Sequence, residues 1–91
     1  MIVILKSAPD TPDGQRGVKL ARDMAADLIL IQNSVYFAQG LEGLPGRVYV
    51  LEEDLRLRGL NESQIRNDVK IIDYDTAVGL MAGSKKVVGM F

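Results

Sequence analysis

The chain has 91 residues, 11 basic and 12 acidic side chains, a net charge of −1, and neither cysteine nor histidine. Disulfides, thiol chemistry, zinc–thiolate ligation and an imidazole proton shuttle are thereby excluded within these residues. The near-neutral balance, with no basic run, offers no footing for nucleic acid or an anionic membrane.

At 47% hydrophobic and 25% charged, the composition is that of a globular protein, read here as one domain over residues 1–91. A domain of that size buries about 60–68% of its unfolded surface, a thin margin, so association with other chains is expected. No apolar run is long enough to span a membrane, and the N-terminal apolar segment is too short for a signal peptide, which predicts a soluble, cytoplasmic chain.

In chain order, Ile2-Val3-Ile4-Leu5 reads as a buried parallel strand over residues 2–6. Ser7 to Asp13 is a loop holding Pro9 and Pro12, in which Thr11 or Asp13 can cap a helix and Pro12 suits its first turn. From Gly14 onward Val18, Ala21, Met24, Ala25 and Leu28 recur at spacings of three and four, the apolar face of a helix. A second strand, 28–32, leaves through Gln32-Asn33-Ser34 into a short helical turn and a Gly- and Pro-rich connector. A third, 47–51, runs into Glu52-Glu53-Asp54, carboxylates that suit the first turn of a helix. That helix carries Arg56 and Arg58 in its last turn and stops at Gly59, where a left-handed residue is wanted. A fourth strand, 69–72, meets Asp73-Tyr74-Asp75 and a short helix from Asp75 to Met81; Lys86 to Met90 makes a weaker edge strand.

Strands alternating with helices predict right-handed crossovers and a three-layer α/β/α architecture around a four- to five-stranded, mainly parallel sheet. Ligands of such sheets bind outside the carboxyl ends of the strands. Gln32 and Asn33 collect there after the second strand, Glu53, Asp54 and Arg58 after the third, and Asp73 and Tyr74 after the fourth. Helix capping accounts for the carboxylates better than a metal does. A magnesium-binding receiver domain would need paired acids where this chain has Lys6-Ser7. The loop SAPDTPDG has two prolines without an N–H and two aspartates, so it makes no phosphate cradle. Tyr36 and Phe37 either cover the sheet edge or line a pocket or subunit contact. No catalytic, cofactor or metal-ligating residue stands out. Asp54 and Arg58, four apart on one helix face, read as an exposed ion pair contributing about 0.3–0.5 kcal/mol. Val35, Tyr36 and Phe37, with Val78, Leu80 and Met81, offer more apolar surface than short helices can bury, which predicts a homo-oligomer with Tyr36 or Phe37 near the contact.

Three segments in order, ADLILIQNSVY, VYVLEEDLRLRGL and IRNDVKIIDY, resemble the TusB/DsrH family of small sulfur-relay subunits, and Leu5-Lys6-Ser7 resembles that family's start. The resemblance spans nearly the whole chain. It implies a DsrE/F/H-like fold and a place in persulfide transfer, for 2-thiouridine synthesis in tRNA or for sulfur oxidation. It also implies cysteine-bearing DsrE/TusD-like and DsrF/TusC-like partner subunits. A persulfide carrier must present a thiolate, and this sequence has none. The expected function is therefore a non-catalytic subunit of such a complex, without cofactor. The alternative is a stand-alone homo-oligomer that binds a small ligand at the strand ends.

Overall fold

The computed structural model describes residues 1–91. Five strands, β1 (Ile2–Leu5), β2 (Asp27–Leu30), β3 (Val48–Leu51), β4 (Val69–Ile72) and β5 (Val87–Val88), form one sheet in the order β4-β3-β2-β1-β5. Every pairing is parallel. Three α-helices accompany it: α1 (Pro12–Asp23), α2 (Glu52–Leu57) and α3 (Tyr74–Gly83). Two 3-10 helices, Gln32–Gln39 and Glu62–Gln64, complete the connections.

The strand order dictates which face each connection covers. From β1 to β4 the chain steps in one direction across the sheet, so right-handed crossovers put α1, the 3-10 helix Gln32–Gln39 and α2 on the same face. The step from β4 back past β1 to β5 runs the other way and puts α3 on the opposite face. The core divides accordingly. Val3, Leu5, Leu28, Leu30, Val48 and Val50 point to the first face and pack against Val18, Ala21, Val35, Phe37 and Leu55. Ile2, Ile29, Tyr49, Leu51 and Ile72 point to the second, where of the helical residues only Ala77 is buried with them. Leu5, Leu28, Leu30 and Val50 are fully buried, so the middle of the first face is the driest part of the molecule.

Local chemistry explains the boundaries. Between the two candidate caps of α1, Thr11 takes the role: its Oγ1 accepts from the Gly14 N–H at 3.0 Å, and Pro12 sits in the first turn. The helix ends at Asp23 in a turn where the Ala25 N–H donates to the Arg22 carbonyl and the Ala26 N–H to that of Ala21. Ala25 itself is left-handed at φ 51°. Gly59 is left-handed at φ 70°, the conformation expected after α2. Gly46 is required by crowding, because a Cβ there would strike the Ala26 carbonyl. Asp73 caps α3, accepting from the Thr76 N–H at 2.7 Å, so the helix begins at Tyr74 and runs to Gly83, longer than the expected 75–81.

The first strand stops at Leu5 rather than residue 6, the third starts at Val48 rather than 47, and the edge strand is Val87–Val88 rather than 86–90; two further differences have local causes. The second strand is Asp27–Leu30, not 28–32, because Gln32 turns left-handed at φ 52° and the strand cannot continue through it. The short helical turn expected around residues 35–38 is an eight-residue 3-10 helix that starts at Gln32.

Candidate functional site

The carboxyl ends of β2 and β3 are joined by a small polar cluster. The backbone N–H of Gln32 donates to Asp54 Oδ2 at 2.8 Å, across 22 residues of sequence. Arg58 reaches back over the first turn of α2: its Nη1 lies 3.6 Å from Asp54 Oδ1 and donates to the Asp54 carbonyl at 3.2 Å. Its Nε donates to Asn33 Oδ1 at 3.1 Å. Four of the predicted residues, Gln32, Asn33, Asp54 and Arg58, are thus brought together. The Asp54–Arg58 pair is not the solvated one expected, since its side chains retain only 15% and 21% of their exposure. Burial follows from the cluster itself, because Asn33 and the turn at Gln32 close over the pair.

Ser34, next along the chain, joins two strands. It is fully buried, its Oγ lies 2.5 Å from the Leu5 carbonyl and 2.7 Å from that of Ile31, and its N–H donates to the Lys6 carbonyl at 3.2 Å. It therefore ties the ends of β1 and β2 to each other. No pattern in the sequence signals this, because the partners are backbone carbonyls.

The remaining candidates lie apart from the cluster. Glu53 is exposed on α2. Asp73 is committed to its cap, and the hydrogen bonds from Thr76 hold its carboxyl below the usual aspartate range. Tyr74 is 66% exposed at the start of α3. Phe37 and Val35 are core residues, buried on the first face. Tyr36 is exposed, and with Phe37 it lines a shallow hollow of about 350 Å³ against α1.

The general rule places a ligand where the strand order reverses, which here is between β1 and β5. Phe91 occupies that position. Its N–H donates to the Ile4 carbonyl at 3.2 Å and its carbonyl accepts from Ser7 at 3.2 Å. Four other surface hollows, about 400–480 Å³, line the β4 edge and the amino ends of β3 and β4; none is lined by Gln32, Asn33, Asp54 or Arg58. No group of three or more acidic side chains gathers as metal ligands would. The strand-end cluster is geometrically a clamp whose polar groups satisfy one another, with Asn33 at its solvent side.

A family model described as DsrH like protein matches residues 15–87, from α1 through β5. The chain belongs to the DsrH family. Protein TusB of Escherichia coli, in strain K12 and in strain ATCC 8739, is 41% identical over 61 residues. That match covers 59% of this chain and 63% of TusB, so it spans less than two thirds of the relative's length. The solution structure of protein Tm0979 from Thermotoga maritima is similar at a TM-score of 0.73 and 30% identity, over 98% of this chain and 100% of that one. The crystal structure of ychN protein from E. coli is similar at 0.82 and 16% identity, over 98% and 97%, a likeness of fold alone. The architecture of this DsrH family member is the DsrE/F/H-like one that the sequence resemblance implies. No helix is long and apolar enough to cross a membrane.

Proposed function

We propose that this chain is a non-catalytic subunit of a cytoplasmic sulfur-relay assembly of the TusB/DsrH kind, serving tRNA 2-thiouridine synthesis or sulfur oxidation. The observation that carries the reading is the DsrH match over residues 15–87 in a sequence that contains no cysteine. A persulfide carrier needs a thiolate nucleophile, so within the assembly the sulfur resides on a cysteine-bearing DsrE/TusD-like subunit, accompanied by a DsrF/TusC-like one. This chain would shape and support that complex, with Glu53 and Tyr74 among the exposed strand-end groups available to a partner.

Purified chain, mixed with a cysteine-bearing DsrE-like protein from the same cells, should form a complex on size exclusion and raise the rate at which persulfide leaves that partner. No complex and no change in transfer would overturn the reading. The alternative, a small-ligand module working at the strand ends, has less support, because the polar groups there are spent on one another.

A further inference from the structure

At the end of the sheet opposite the clamp, a hollow of about 450 Å³ opens beside the amino ends of β3 and β4, a size that suits a small molecule. Its charged lining is Glu42, Arg47, Asp68 and Lys70. Both carboxylates are answered by one cation from outside the hollow. Arg66 Nη2 lies 3.4 Å from Glu42 Oε2, and Arg66 Nε lies 3.3 Å from Asp68 Oδ1. The two lining cations, Arg47 and Lys70, enter no salt bridge. Lys70 is paired in register with Tyr49, so both side chains point to one face. Arg47 comes two residues before Tyr49, whose hydroxyl beside the guanidinium, with a smaller contribution from the Asp27 charge, holds the Arg47 pKa above its ordinary value. The Asp27 carboxylate itself accepts from the Arg47 backbone N–H at 2.8 Å.

The loop before β3 adds donors. The N–H groups of Glu42, Gly43, Leu44 and Gly46, which also line the hollow, have no acceptor within the chain. Gly43 is left-handed at φ 78°, which a side chain would oppose. Leu41, Leu44 and Val48 supply the apolar part of the lining. A guanidinium, an ammonium and open backbone amides are the groups that recognise phosphate oxygens. We propose that this hollow binds a small phosphate-bearing molecule, its phosphate between Arg47 and Lys70 and its organic body against Leu41 and Leu44. A metal cation fits poorly, because the carboxylates that would hold it are turned to Arg66. The site lies away from the carboxyl ends of the strands, so the inference goes beyond the sulfur-relay reading and does not rest on it.

An NMR titration of the intact chain at constant ionic strength tests it, with inorganic phosphate and ADP as probes and chloride as the reference. Both probes should shift the amides of Gly43, Gly46, Arg47 and Lys70 saturably. ADP should bind more tightly and also shift the Leu41 and Leu44 methyl groups. Arg47→Gln with Lys70→Gln, at two exposed positions, should weaken binding about tenfold or more. Should that pair fail to fold, Asp68→Asn, which removes an exposed lining charge and frees Arg66, should tighten it. Shifts that chloride reproduces, that map to Lys85 and Lys86, or that survive the double substitution overturn the site. So does an Asp68→Asn chain that binds no more tightly. ADP that binds no better than inorganic phosphate overturns the organic ligand.

Discussion

Ala25 carries a backbone conformation that its side chain opposes. At φ 51° it supplies the left-handed step after α1, where the Ala25 and Ala26 N–H groups reach the Arg22 and Ala21 carbonyls. A left-handed L-residue costs roughly 1–2 kcal/mol, against about 0.5–1 for the added chain entropy of glycine. Ala25→Gly should therefore stabilise the protein by about 0.5–1 kcal/mol, read from the urea midpoint; a loss of stability would refute the turn geometry. Asp73 gives a pH signature of known sign. The Thr76 hydrogen bonds lower its carboxyl pKa in the folded state, while in the unfolded chain it titrates near its ordinary value of about 4. The folded state then binds fewer protons between the two values, so the stabilisation is whole above about pH 4 and fades as pH falls toward the lowered one. Asp73→Asn keeps a capping oxygen and removes the titration. Its stability curve should converge on that of the parent chain in acid, and parallel curves would count against the cap.

At the scale of elements, the clamp between β2 and α2 is the feature that deserves a perturbation. Asp54 accepts from the strained Gln32 turn and lies beside Arg58, whose other donor goes to Asn33. Asp54→Ala strands that N–H and leaves Arg58 without its partner, and should cost about 2 kcal/mol, the scale of a hydrogen bond to a charged group. Asp54→Asn retains an acceptor for Gln32 and should cost about half as much. Equal losses in denaturant titration would mean that charge, not the turn, is what Asp54 serves. The pairing of Asp54 with Arg58 was legible as a helical spacing of four. Its burial was not, because Gln32 and Asn33 arrive from 22 and 21 residues upstream in a turn that ordinary propensity does not predict.

For the molecule as a whole, the topology orders stability across the sheet. β2 is flanked by β1 and β3 and its Leu28, Ile29 and Leu30 are buried on both faces, whereas β5 is a two-residue edge with Val87 exposed. Native-state hydrogen exchange should be slowest in β2 and its neighbours and fastest in β5, which opens without unfolding the rest. Uniform protection would contradict this gradient. For function at this scale, incubation with a cysteine desulfurase and its substrate should leave the intact mass unchanged. Stable addition of sulfur would sink the non-carrier role, whatever the family.

The sequence by itself determined the element types, the parallel sheet and the family, since β-branched runs, capping residues and glycine stops are local signals. It also determined the absence of a thiol. Tertiary structure decided the rest. Val35 and Phe37 look like surplus apolar surface in the sequence, but the crossover direction lays their helix on the first face and buries them. The same rule leaves α3 alone on the second face, where of the helical residues only Ala77 is buried. Ser34 and Gln32 acquire their roles from carbonyls and a carboxylate distant in sequence. Periodicity reports which side of an element is apolar; only the order of the strands says what lies against it.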